Sequence, residues 1–342
     1  MTVPPDLVAA GRSVVFAGHI FRGSDMDDAS QTLEERRLAG EIRALFQEEQ
    51  VRTVHGSLAA GADILFAEAA IALRLDLHVI LPSPPEQFVR SSVAIGNPGD
   101  APARWDSRFW DAMDAAEKVT FVSDGEIAPW QADAYYLHAF RWAGAAALFK
   151  ADARGSECLM AAISDGGKTA GAGGTISTIE DWLARGRRLR TLSFAGTRSR
   201  GHAAPGSAPA ALRPVLFLES DEGLGPIAET ARTAFRENIG PAPVELDAGA
   251  VAFVGASVSH MMEAAAIARD AASHARLPLR MVCDFGPAVD ETMRASRSTL
   301  AGFPGAAMLA TIKPGRLFAT PPMMMEARFE ARELALALEP LP

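Results

Sequence analysis

The chain has 342 residues, 49% of them hydrophobic and 22% charged, with 33 Lys and Arg against 42 Asp and Glu for a net charge of −9. That balance builds a packed core rather than a disordered chain, and an acidic surface excludes a protein whose main work is coating nucleic acid. Cys158 and Cys283 are too few for a disulfide framework or a thiolate zinc site. No apolar run reaches the ~20 residues that span a bilayer, and residues 1–6 lack the basic and apolar regions of a signal peptide. A cytoplasmic protein with no membrane and no nucleic-acid partner is expected. At roughly 150 residues per domain the length suggests two domains.

In chain order, 13–17 reads as an apolar strand ending at Gly18, and Leu38, Ile42, Leu45 and Phe46 follow with helical spacing. A strand at 51–55 runs into Gly56, and Ile64, Leu65, Ile71 and Ala72 mark a second helix. A strand at 77–81 stops at Pro82, helices are expected at 85–94 and 105–116, and 118–122 is a fourth strand. A long helix at 132–149, a strand at 157–163, a helix marked by Ile176, Ile179, Trp182 and Leu183, and a strand at 189–194 complete the set. Strands alternating with helices predict a parallel sheet covered on both faces.

The stretch 197–213, rich in Ala, Pro, Gly, Ser and Arg without apolar periodicity, reads as a linker between domains at 1–196 and 214–342. The second domain has another rhythm. Strand 214–218 and helix 226–235 precede a hairpin of 244–246 and 250–254 about Asp247-Ala248-Gly249. Val258, Met261, Met262, Ala265 and Ala272 line a helix; strand 279–283, helix 289–300, short strands at 307–312 and 316–319, and a final helix at 326–339 follow. The order β–α–β–β–α–β is that of a ferredoxin-like α+β fold. Met323-Met324-Met325 reads as packing, because no His or Cys accompanies it to hold a soft metal.

In a parallel α/β sheet, ligands bind at the carboxyl ends of the strands. Three such ends carry small residues: Gly18-His19; Gly56-Ser57 through Gly61 and Asp63; and 165–175, which contains Gly171, Gly173, Gly174 and Thr175. Glycines admit a ligand close to the backbone, and the amides of a helix start attract an anion. Together these loops point to a nucleotide-type pocket. His19 either touches ligand or is a loop histidine satisfied by backbone.

The run GSLAAGADILFAEAA (56–70), followed by HVILP (78–82), resembles the SLOG superfamily, which includes lysine-decarboxylase-like phosphoribohydrolases. VVFAGH (14–19) and GAGGT (171–175) sit where that family has its first loop and its phosphate-binding glycine motif. The resemblance implies a Rossmann-like fold binding a nucleotide or nucleotide-derived ligand. The hydrolytic members place a catalytic Glu three residues after their Gly-Thr pair, where this chain has Thr178; Glu180 lies two residues further, about 200° around the helix. Glu68, on the apolar face of its helix, is the other candidate acid, and it needs either a polar partner or a pocket.

The second domain is similar to the class III adenylate/guanylate cyclase homology domain in RPVLFLES (213–220), VELDAGAVAFV (244–254), MVCDFGPA (281–288) and IKPGRLFAT (312–320). Such cyclases hold two divalent metals with two Asp residues, which activate a hydroxyl and neutralise a triphosphate. Here Glu219 takes the first position and Ala248 the second, with Asp247 one residue early, on the opposite side of a strand. Met308 replaces the family's transition-state Arg. The resemblance implies a catalytically inactive cyclase-like domain used for dimerisation or regulation, and the whole chain reads as a nucleotide-binding or sensing homodimer. The alternative is an enzyme: a nucleotide N-glycosidase using Glu68 or Glu180, or a residual cyclase using Glu219 and Asp247, with Mg or Mn required only there.

Overall fold

In the computed structural model, which describes residues 11–21, 28–96, 104–164, 174–194, 212–225, 244–245, 250–287, 306 and 308–341, the chain divides into two units, Met1–Pro209 and Ala210–Pro342. The expected linker at 197–213 falls almost wholly outside the described residues.

The first unit is built on a six-stranded, all-parallel sheet of β1 (Arg12–Gly18), β2 (Val51–Gly56), β3 (Asp76–Leu81), β4 (Lys118–Phe121), β5 (Cys158–Ser164) and β6 (Leu189–Ser193), in the order β4-β3-β2-β1-β5-β6. This Rossmann-like α/β sheet explains the continuous apolar runs: Val14, Val15 and Phe16 of central β1 are all buried because both faces are covered. On one face lie α1 (Asp28–Glu48), α2 (Ala62–Ala72) and α4 (Arg104–Ala115), burying Leu38, Ile42, Ile64, Phe66, Trp105 and Phe109. The chain then crosses back through α5 (Ala132–Ala153), whose Ala139, Ala143, Ala147 and Ala151 repeat every fourth residue and bring the helix close to the strands. Helix α6 (Thr175–Leu183) lies against α5 through Arg141 and Asp181, paired at 2.8 Å. The expected helix at 85–94 is instead three short pieces: α3 (Pro85–Phe88), a π turn (Val89–Val93) and a 3-10 turn (Ala94–Gly96).

The second unit has a mixed sheet of β7 (Leu212–Glu219), β8 (Val244–Glu245), β9 (Ala250–Val254), β10 (Arg280–Pro287), β11 (Leu317–Ala319) and β12 (Glu339–Pro340), ordered β12-β11-β10-β7-β9-β8. The neighbours from β10 to β8 are antiparallel, and β11 and β12 add in parallel. Side chains alternate between faces along each strand. Leu216, Leu218, Met281 and Cys283 meet α7 (Val258–Ala275) and α8 (Pro321–Glu330), including Met261, Ala265, Met323 and Ala327. Val215, Phe217 and Val282 point the other way, onto Ala306, Leu309 and Ile312.

That last trio explains one correction. The expected strand at 307–312 contains a 3-10 turn, Leu309–Thr311, because apolar residues spaced by three share one side of such a turn. The expected helix at 326–339 starts earlier, at Pro321, and ends at Glu330; Ala331 is extended, and α9 (Arg332–Leu336) follows. Prolines fit the first helical turn, where their missing N–H is not needed. The expected helices at 226–235 and 289–300 lie outside the described residues.

Candidate functional site

The carboxyl end of β1 lies where the strand order turns back, between β2 and β5. The loop after β1 zips onto the loop after β2. His19 carbonyl accepts from Ala62 N–H at 3.1 Å, Phe21 N–H donates to Ala60 carbonyl at 3.1 Å, and Ile20 bridges Gly61. Two glycines make this closure possible. A Cβ on Gly18 would stand 2.1 Å from the Ala62 Cβ, so β1 and α2 approach here more closely than any side chain allows. Gly61 has φ +97, and a Cβ there would meet Phe21 at 2.6 Å. Gly56 similarly abuts the Phe16 ring. These glycines, expected to admit a ligand, are filled from the protein side. His19 is buried and lies edge-on to Phe194, ring centres 6.4 Å apart.

Ser57 and Asp63 come together. Ser57 hydroxyl donates to Asp63 Oδ2 at 2.5 Å, and Ala59 N–H reaches the same oxygen at 3.4 Å. Asp63 is 5% exposed. Burial raises its pKa to about 6, opposed by Ser57 and by the Ala59 and Gly18 amides. Gly174 and Thr175 open α6, and Gly174 lends no side-chain cap to the helix amides. Gly171 and Gly173 lie outside the described residues.

The two candidate acids of this unit lie in different surroundings. Glu68 is held by Arg108 in a two-pronged pair, 2.6 Å at each oxygen, and Arg108 also reaches Glu35 at 3.0 Å and lies 4.1 Å from the centre of the Trp105 ring. The polar partner that its place on the apolar face required is thus a guanidinium bridging α2, α4 and α1. Glu180 is exposed on α6, two residues before Trp182, whose ring is buried and whose Nε1 donates to the Arg188 carbonyl at 2.8 Å.

One group near these loops is not legible in the sequence. Tyr136 of α5 shares hydrogen bonds with Ser91, at 3.0 Å, and with Ser92 of the π turn, while the Ser92 carbonyl accepts from Ala60 N–H at 2.9 Å. π turns recur at functional sites. The only sequence signal is the Ser91-Ser92 pair after a proline-rich loop.

Under α5, His55 and His78 stack with ring centres 4.6 Å apart, and neither His55 nitrogen has a hydrogen-bond partner among the described residues. Burial holds His55 well below the ordinary imidazole range, helped by His78, Lys150 and Arg154; burial also lowers His78.

In the second unit Glu219 ends β7, opposite Ala250 of β9 and Arg280 of β10. Arg280 pairs with Asp221 at 2.8 and 2.6 Å and lies 3.7 Å from Glu219. Asp247 and Ala248 lie outside the described residues. Among the described residues no group of three His, Cys, Asp or Glu could hold a metal ion, and the cation that Glu219 meets is a guanidinium. The residues described here do not fit a Mg or Mn centre. Asp284, on the same face, is fully buried and accepts from Thr320 hydroxyl at 2.5 Å and Phe285 N–H at 2.7 Å. Among the described residues no helix is long and apolar enough to cross a membrane.

No protein-family model matches the chain, and no curated protein matches it.

Proposed function

We propose that the first unit binds a nucleotide or nucleotide-derived small molecule at the carboxyl edge of its sheet, and that the second is a ferredoxin-like, cyclase-type domain without cyclase chemistry, serving dimerisation or regulation. The observation that carries the first part is the reversal of strand order at β1 and β5, which puts Gly18 and His19 at the switch point, beside the strand that α6 follows in the chain, with Gly174 and Thr175 at the start of that helix. The helix start supplies positive dipole for a phosphate, so an acidic protein needs no basic surface to hold one.

The order β10-β7-β9-β8, antiparallel throughout, supports the ferredoxin-like reading of the second unit, as does the place of Glu219 beside the start of β9. Its loss of chemistry is supported by Arg280 beside Glu219 and by Met308, which offers no cation for a transition state. No observation favours a glycosidase, since Glu68 is neutralised by Arg108.

Calorimetric titration with AMP, ATP, NAD and cyclic nucleotides tests the reading. Binding is expected, and Gly174→Asp, which sets a like charge at the start of α6, should weaken it several-fold. Folded protein that binds none of them at millimolar concentration sinks the proposal. Light scattering tests the homodimer; a monomer at working concentration removes it.

A further inference from the structure

We propose that the Asp63 carboxylate is a resident anion that occupies the phosphate-type cradle of the β2–α2 turn and closes it to external phosphate. A turn from a parallel strand into a helix gathers N–H groups and the positive end of the helix dipole at one point. The same donors converge here on a side chain of the protein itself. Ser57 hydroxyl and Ala59 N–H hold Oδ2, and the Gly18 amide faces the carboxylate from β1. Asp63 stands in the first turn of α2, so its charge meets that helix's dipole.

The cradle is also walled. The first helix amide, that of Ala62, is spent on the His19 carbonyl, and Phe21 lies against Gly61. Asp63 is more than nine-tenths buried, and its Oδ1 has no well-directed hydrogen bond, the Gly18 amide facing the carboxylate without completing one. An entering phosphate would meet a like charge in a region with little water to screen it. The β2–α2 turn therefore selects against anions while keeping the shape that binds them. A further consequence rests on the nucleotide reading above: a ligand's phosphate is left the start of α6, and its base and sugar lie toward β1 and β2.

Chemical rescue tests the resident anion. Asp63→Ala removes the carboxylate and leaves its donors; Asp63→Asn keeps the shape without the charge. Thermal unfolding of full-length protein is followed in sodium formate and in sodium chloride at matched ionic strength. The midpoint of Asp63→Ala should lie below that of wild type and rise with formate well beyond its response to chloride, while wild type and Asp63→Asn respond to the two salts alike. Equal responses of Asp63→Ala to formate and chloride overturn the proposal. If that variant does not fold at rest, its refolding yield from urea in the two salts is the reading, and equal yields overturn it. A protein that binds no nucleotide leaves this test intact, so the two proposals fail separately.

Discussion

The two units treat a buried acid at an edge of the sheet, Asp63 at the start of α2 and Glu219 at the end of β7, in different ways. In the first, Asp63 is surrounded by uncharged donors, a hydroxyl and backbone amides, and its pKa rises to about 6. In the second, Glu219 at the end of β7 lies 3.7 Å from the Arg280 guanidinium, which also grips Asp221. Amides hold an anion through a rigid backbone and bring no counter-charge, whereas a guanidinium sets a full positive charge beside it. The first arrangement keeps a proton-sensitive, anion-shaped site; the second sets its carboxylates beside a fixed positive charge.

The largest break in this comparison comes from the backbone of the first site. Gly18→Val places a side chain where even a Cβ meets Ala62 at 2.1 Å. It should cost about 3 kcal/mol or more in urea unfolding, the scale of overpacking in a tight core, and should loosen the Asp63 cradle with it.

Next comes pH, on which two groups of the first unit act in opposite senses. His55 is held neutral by burial, so its contribution is present above the ordinary histidine pKa and is lost as pH falls, at up to about 1.4 kcal/mol per pH unit. Asp63 has a folded pKa of about 6 against 3.8 ordinarily, so its contribution is full below the lower value and lost as pH rises through the upper one. Wild type should therefore show a shallow dependence between pH 7 and 5. Asp63→Asn should leave a steeper acid loss, and His55→Phe should tilt the dependence toward greater stability at the acid end, both read from urea midpoints across that range. A slope unchanged in both variants removes the two assignments.

Smaller still is Arg280→Ala, expected to lower the urea midpoint only slightly, because its hydrogen bonds go to the solvent-exposed Asp221. It sharpens the contrast if the freed Glu219 and Asp221 then bind manganese, measured by electron paramagnetic resonance, when wild type does not. A small effect should also come from Glu330→Gln. Glu330 accepts from the Val258 and Ser259 amides at 3.1 and 3.2 Å and so caps α7 from α8. Loss of its charge should cost about 1 kcal/mol in chemical denaturation.

The strands of the first sheet were readable because a strand buried on both faces is a bare apolar run stopped by Gly or Pro; 77–81 before Pro82 is one such run, and it forms β3 (Asp76–Leu81). Short irregular pieces were not readable. Residues 85–96 change helix type twice within twelve positions, and local spacing carries no mark of that. Ser57 and Asp63 stand out from sequence because they flank a glycine turn, but their mutual bond and the Gly18 amide between strands are matters of tertiary placement. The fate of Glu68 depended on Arg108, forty residues away, and that of Glu219 on Arg280, across the sheet. Apolar periodicity says which face a carboxylate occupies, not which cation meets it there.

The cap that Glu330 places on α7 joins residues 72 positions apart, and β11 and β12 add to the sheet later still, through 317–319 and 339–340. During synthesis, α7 leaves the ribosome long before Glu330 does. The second unit must hold an incomplete sheet, and a helix α7 that has its local Ser257 cap but not its Glu330 contacts, until residues 317–340 arrive, while the long-range pairings that finish it are the slow kind. Its assembly is timed by its carboxyl-terminal segment, and a pause in translation near residue 320 would leave the apolar positions facing Met323 and Ala327 open to the wrong partner.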